Sequence, residues 1–221
     1  MGTDAPRVPV TIAEALPNLR TGRLDRQDDL TRSRPAEHLI ARRRTYFRQH
    51  TGAVLRGGLR GRPDQHHREL RHRVAGAKAV AGELWELAAQ HPAWRVLQSV
   101  QADSGAVELD QLVIGPGGVF TIDTVFRPAQ GVTATTARNA ARRTQEILSR
   151  ATRVPITVQA LIVFVRSGDP RVEGPADGVE VLTANELVRW LRGRRTVLTD
   201  RELEIVHLAA RDRRTWAGWA D

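Results

Sequence analysis

The sequence predicts a mixed α/β domain that follows a basic, partly helical N-terminal extension. Short stretches between residues 94 and 124 have the composition of strands and are joined by a glycine-rich turn. Residues 158–165 form a nearly continuous apolar run, which is typical of a central strand covered on both faces. Helical segments precede, separate and follow these strands. A strand meander followed by a helix and another strand indicates a crossover connection.

The net charge of +9 is concentrated in the N-terminal third of the chain. Residues 1–75 contain 16 Arg against 8 Asp and Glu, whereas residues 76–221 carry a balance of only +1. Arg outnumbers Lys by 33 to 1. Guanidinium groups bind phosphate bidentately, so this excess favours a nucleic-acid partner. Coding bias in a GC-rich genome, combined with a solvated and partly disordered tail, explains the same composition equally well.

Several classes of protein are excluded or disfavoured by composition. The chain has no cysteine, so disulfides, thiolate nucleophiles and cysteine-based zinc sites are excluded. It lacks the run of about 20 apolar residues that crosses a bilayer. The first twenty residues do not have the pattern of a signal peptide. We therefore expect a cytoplasmic protein with no membrane partner.

The N-terminal extension has few periodic stretches. Residues 1–33 mix Pro, Gly, Arg and Asp, and we expect them to be flexible. A helix is predicted from Pro35 to about His50, with its apolar residues roughly on one side. Residues 51–64 are rich in Gly and Pro and indicate a linker.

The elements of the α/β region follow in order. A helix is predicted from about Ala77 to Gln90, where His91-Pro92 disfavours further helical geometry. Three strands follow, at residues 94–100, 106–114 and 119–124, the last two joined by Gly115-Pro-Gly-Gly118. A polar helix at 136–151 leads to the apolar strand at 158–165 and a short strand at 179–182. Two helices close the chain, and Thr183 to Glu186 and Thr199 to Glu202 have the form of capping boxes.

Two groups of side chains suggest a site but fit a structural role better. His66, His67 and His72 lie in a polar stretch, and their spacing does not give the i, i+4 pair of a helical metal site. We therefore expect a solvated polar helix there. Trp216 and Trp219 are candidates for stacking on bases, but packing against the domain is favoured.

The hairpin segment Leu109–Thr124 resembles the central signature of nuclease-related (NERD) domains. In that family an Asp-His-Leu-Val-Ile-Gly-Pro-Gly-Gly-Val-Phe hairpin runs into an acid-Thr-Lys tripeptide. Further similarity occurs at Gly76-Ala77, His91–Trp94, Arg138-Asn139, and Leu187–Leu191 through Trp216. The resemblance covers residues 74–216 and implies a domain over that range, preceded by the basic extension at 1–73.

The resemblance implies a restriction-endonuclease-like fold with an active site of the PD-(D/E)xK type. The acidic pair of that motif falls on Asp110 and Asp123, which would lie close together across the hairpin and hold Mg²⁺ through oxygen ligands. The lysine of the motif would share a strand face with Asp123 and assist the attacking water. Val125 occupies that position here and cannot serve in that role.

Other departures from the family pattern also suggest a damaged site. The helix carboxylate of the family falls on Ala79-Val80, and Glu83 would replace it only if the helix were shifted. Ala140 and Ala141 replace polar residues, and the segment between Pro128 and Ala137 is too short for the family's extra strand pair.

Basic residues offer partial replacements. Arg127 would share the face of Asp123 and neutralise an acid or contact phosphate, although its pKa is too high for proton abstraction. Lys78 is a weaker stand-in and fits a solvated position. With Arg127, the helix residues Arg138 and Arg142 are the predicted contacts to nucleic acid.

Three functions remain open at this point. The first is a catalytically inactive pseudonuclease that acts as a nucleic-acid-binding or regulatory module. The second is a weak Mg²⁺-dependent DNA nuclease that uses Asp110 and Asp123. The third is a protein–protein interaction module that uses the Arg-rich extension.

Overall fold

The computed structural model describes residues 24–59, 64–102, 108–126, 133–165 and 176–217. Within these ranges it contains one five-stranded sheet of order β1-β2-β3-β4-β5. The strands are β1 (Arg95–Gln101), β2 (Glu108–Gly115), β3 (Gly118–Val125), β4 (Val158–Phe164) and β5 (Val179–Thr183). The first three form an antiparallel meander, and β4 and β5 continue the sheet in parallel with β3. The predicted mixed α/β class and the three-strand meander are confirmed, and the strand ends differ from prediction by one or two residues.

Five α-helices accompany the sheet. They are α1 (Glu37–Leu59), α2 (Gln65–Gln90), α3 (Ala134–Thr152), α4 (Ala184–Arg192) and α5 (Asp200–Arg211). Helix α3 connects β3 to the parallel strand β4, which is the predicted crossover. Helix α2 ends at Gln90, directly before His91-Pro92, as predicted.

The helices cover both faces of the sheet. On one face, leucines of α2 and α4 pack on β3 and β4 residues such as Phe120 and Leu161. On the other face, α3 and α5 cover a second apolar cluster that includes Leu112, Ile114 and Val125. Because β4 is sandwiched between these clusters, its apolar residues do not alternate with polar ones, as the sequence indicated.

Helix α1 is longer than predicted. The chain departs from helical geometry at His50 (φ −123°, ψ 24°), where the prediction ended, and then continues in helical form to Leu59. The prediction of a linker is therefore wrong for residues 51–59, and residues 60–63 lie outside the described ranges. Three glycines within that stretch cost about 1 kcal/mol each in a helix, which weakens a helix without forbidding it.

Helix α2 begins twelve residues before the predicted start at Ala77. Asp64 caps it, because its carboxylate accepts a hydrogen bond of 2.8 Å from the backbone N–H of His67. The polar helix expected around His66 and His72 is thus the first part of one helix of 26 residues. The predicted boundary between the extension and the domain, at residues 73 and 74, lies inside this helix.

The described part of the N-terminal extension packs on the domain. Residues 24–33, which we expected to be flexible, contain a 3-10 turn whose Leu30 is buried in the main core. The Ser99 hydroxyl accepts a hydrogen bond from the Glu37 N–H at 2.8 Å and donates one to the Arg34 carbonyl at 3.0 Å. Ser99 itself has a positive φ of 53° in β1. These contacts fix the start of α1 against the sheet.

The glycines of the β2–β3 turn serve two different purposes. Gly118 has a φ of +127°, which matches the conformational role predicted for this turn. At Gly115, a Cβ atom would lie 2.2 Å from Cε3 of Trp94, so this position needs glycine because an aromatic ring packs on the backbone. Sequence alone predicted the turn but not the ring against it.

The predicted capping boxes of α4 and α5 and the predicted packing of Trp216 are confirmed. The Thr199 N–H donates to the Glu202 carboxylate at 2.8 Å, and a capping box is also present at Thr183. Trp216 is fully buried, and its indole N–H donates to the Ala210 carbonyl at 2.8 Å. Trp219 lies outside the described residues.

Within the described ranges, none of the helices has the length and apolar character that crossing a membrane requires.

Candidate functional site

Asp110 and Asp123 lie on neighbouring strands at one end of the β2–β3 hairpin. The antiparallel register pairs Gln111 with Ile122, and extending it by one residue sets Asp110 opposite Asp123. The recorded neighbours of these acids come from α1 and α2, since His38 lies 3.5 Å from Asp110 and Arg73 acts electrostatically on Asp123. Asp110 also acts on Asp123, so the predicted proximity of the two acids is observed.

The Asp110 carboxylate is enclosed by protein. The residue is 4% exposed, and its Oδ2 accepts a hydrogen bond of 2.9 Å from the Thr124 backbone N–H. Its Oδ1 lies 3.5 Å from Nε2 of His38, but no hydrogen bond of good geometry reaches this oxygen from the described residues. One oxygen of Asp110 thus supports the hairpin, and the other faces a buried imidazole.

Glu108 adds a third carboxylate, and we call Glu108, Asp110 and Asp123 the acid cluster. Oε1 of Glu108 lies 3.3 Å from His38 Nε2, and Oε2 lies 3.6 Å from Arg42 Nη1. His38 and Arg42 are one turn apart on α1, so that helix presents an imidazole and a guanidinium to the same strand. The N-terminal extension therefore forms one wall of the site.

The pKa of Asp123 is raised from 3.8 to about 7. Burial is the largest cause, and repulsion by Asp110 and Glu108 acts in the same direction, while Arg73 of α2 lowers the value. A carboxyl in these surroundings is poised to hold a proton or to bind a cation near neutral pH.

Val125 shares the face of Asp123 but belongs to the apolar core. It is 4% exposed and packs in the cluster that contains Ala134 and Ala137 of α3. The position that the resemblance assigns to a lysine is thus occupied by a buried core residue.

The side chains of the acid cluster are not arranged as a protein-only metal cage. Among the described residues, no group of three or more His, Asp or Glu side chains is arranged to hold a metal ion. Asp110 and Asp123 are therefore the pair that would carry Mg²⁺, and water would supply its other ligands, as is usual for this cation.

Two of the predicted arginines, Arg138 and Arg142, lie on α3 within the described residues. Arg127 lies outside the described residues. The Arg138 guanidinium donates to the Asp177 carbonyl at 2.9 Å, before β5. Arg142 is exposed one turn later on α3, with its Nε 4.0 Å from Glu146. These last two side chains form a polar surface on α3.

Other predicted candidates lie on α2. Lys78 is exposed, as expected, and Glu83 is also exposed, so the helix has not shifted to bring it inward. His66 is exposed and its ring lies 4.4 Å from that of Tyr46, while His72 stacks on Phe126 at 5.4 Å. These histidines contact aromatic rings in addition to solvent.

Sequence reasoning missed three members of the site. Glu108 could have been found, because it precedes Asp110 by two residues and so shares its strand face. His38 and Arg73 gave no such indication. Both positions precede the region of resemblance at 74–216, and only the packing of α1 and α2 brings them to the strands.

Comparison with models of protein families finds no match, and comparisons with curated proteins and with solved structures find none either. The resemblance to nuclease-related domains remains a prediction that rests on the residues quoted for it.

Proposed function

We propose that this chain is a nuclease-related domain that binds nucleic acid without cleaving it. The observation that carries the proposal is the buried Val125 beside Asp110 and Asp123. PD-(D/E)xK chemistry needs a cation or proton carrier at that position, and an isopropyl group packed in a core supplies neither.

The enclosure of Asp110 supports the same proposal. A ligand to catalytic Mg²⁺ has to offer oxygen lone pairs to the ion. One oxygen of Asp110 is engaged by the Thr124 N–H, and the residue is almost fully buried. An acid used in this way stabilises the hairpin and leaves little room for metal, substrate and water together.

Retained binding to nucleic acid is supported by charge. The chain carries a net charge of +9, almost entirely through arginine, and phosphate contacts need no catalytic group. A domain that lost its chemistry would keep such contacts.

A weak Mg²⁺-dependent nuclease is the second candidate. It is favoured by the opposed acids and by the raised pKa of Asp123, which a bound cation would lower again. His38, 3.5 Å from Asp110, would be the nearest imidazole for such a reaction.

A cleavage assay distinguishes the two candidates. Plasmid and single-stranded DNA would be incubated with Mg²⁺ or Mn²⁺ and wild-type protein, Asp110→Ala or Val125→Lys, and binding to labelled DNA would be measured in parallel. We expect binding without cleavage by the wild type. Cleavage that disappears in Asp110→Ala would overturn the first candidate, and no metal binding in calorimetry would overturn the second.

A further inference from the structure

A groove between α1 and α2 is lined almost entirely by basic side chains. Its volume is about 730 Å³, and we call it the basic groove. Its lining residues are Arg43, Arg44, Phe47 and Arg48 of α1 with His67 and Arg71 of α2.

Helix geometry explains why these residues converge. Spacings of three and four residues put the α1 members on one face, and His67 and Arg71 are one turn apart on α2. The two helices are held together by Leu39, Val74 and their apolar neighbours and by a hydrogen bond of 3.1 Å from the Tyr46 hydroxyl to Asp64.

The positive charge of the basic groove is not neutralised by the described part of the protein. No ion pair or side-chain hydrogen bond there engages the guanidinium groups of Arg43, Arg44, Arg48 or Arg71. A second cleft, of about 640 Å³, provides the contrast, because its four arginines are accompanied by Asp28, Asp29 and Glu37. Four uncompensated cations in one groove create a positive potential that favours a ligand with several negative charges.

Phe47 indicates which polyanion fits. It is one of few large apolar side chains that remain exposed, at 36%, and its ring lies 5.8 Å from that of His67. An aromatic face among arginines is the arrangement on which unpaired bases stack while phosphates contact the cations. An acidic peptide would use the charges but has no general need for the ring, and duplex DNA keeps its base faces covered.

We propose that the basic groove binds single-stranded nucleic acid, with phosphates on Arg43, Arg44, Arg48 and Arg71 and a base stacked on Phe47. This inference rests on the proposed function and assigns its binding surface. The groove lies beside the acid cluster, since Arg42, next to Arg43, contacts Glu108.

The test is fluorescence anisotropy with the full chain and labelled oligo(dT) of 20 nucleotides over a range of salt concentrations. The test variant replaces Arg43, Arg44, Arg48 and Arg71 with Gln. The matched control replaces Arg189, Arg192, Arg195 and Arg201 with Gln, because these are exposed and their loss changes net charge equally. Phe47→Leu removes the stacking ring and keeps an apolar side chain.

We expect the affinity of the groove variant for oligo(dT) to be about 100-fold lower at low salt. The slope of log K against log salt concentration should become less negative by about 3. The control should lose less than about 5-fold, and Phe47→Leu about 5- to 20-fold. Circular dichroism would verify folding. If the fourfold variant did not fold, the double change Arg44→Gln with Arg48→Gln, at exposed positions, would carry the same test.

The failures of the two proposals are distinguishable. Equal losses of affinity in the groove variant and the control would overturn the proposal that the basic groove is the binding surface. They would leave the proposal of nucleic-acid binding intact. No binding by the wild type to single strands or duplex would overturn both. Tighter binding to duplex DNA, or equal competition by poly-glutamate, would overturn the assignment to single strands.

Discussion

The acid cluster and the basic groove are neighbours along α1, but they differ in whether their charged side chains face groups of opposite charge. His38 and Arg42, at the start of the helix, face carboxylates on β2 at 3.3–3.6 Å. One turn later, the arginines of the groove face no acid among the described residues. The charges of the acid cluster interact with other groups of the protein, so they affect its stability and the pH dependence of that stability. The basic groove leaves its charges available to a ligand.

This contrast predicts that changes at the strand site alter stability, whereas changes in the groove alter binding.

Val125→Lys should destabilise the protein most. Burying an ammonium in the core beside Ala134 and Ala137 should lower the free energy of unfolding by about 3 kcal/mol, or the melting temperature by about 6–12 °C. Val197→Lys is the matched control, because Val197 is 45% exposed. A stable Val125→Lys protein that cleaves DNA would show that the lysine position still opens onto the acids.

Asp123→Asn should stabilise the protein above neutral pH. The folded-state pKa of about 7 exceeds the unfolded value of 3.8, so ionisation is more costly in the fold. The stability linked to this carboxyl is therefore greatest below about pH 4 and is lost as pH rises through 7. We expect a gain of about 1–2 kcal/mol at pH 8, because partial exposure screens part of the shift.

Urea unfolding at pH 4 and pH 8 measures this effect. The stability difference between wild type and Asp123→Asn should appear only at the higher pH. An equal difference at both values would assign it to packing and not to charge.

Mg²⁺ should raise the melting temperature of the wild type by about 2–4 °C at pH 8 and 10 mM if Asp110 and Asp123 bind it. Asp123→Asn should lose this response, whereas the groove variant should keep it. Thermal scans of the three proteins with and without the ion provide the measurement. A shift that persists in Asp123→Asn would place the cation elsewhere.

The fourfold groove variant should change the melting temperature by less than about 2 °C. Surface arginines without acidic partners contribute little to stability, and removing like charges relieves repulsion. A large loss measured in the same thermal scans would mean that these arginines support the packing of α1 on α2, and would remove the contrast between the two regions.

The α/β class, the strand meander, the crossover, the end of α2 and the start of α5 could be predicted from the sequence. These features depend on local patterns: alternation for β1, continuous apolarity for β4, proline after α2 and capping residues before α5. The proximity of Asp110 and Asp123 was also predictable, because a tight hairpin fixes which residues stand opposite each other.

The neighbours of Asp110 and Asp123 depend on tertiary packing and could not be predicted from the sequence. His38 and Arg73 are 72 and 50 residues from Asp110 and Asp123, respectively, and no local pattern links positions so far apart. The basic groove has the same origin, since the arginine spacing on α1 becomes a groove only when α2 packs alongside. Burial and electrostatic coupling depend on which helix faces meet, and that is set by the packing of the whole core.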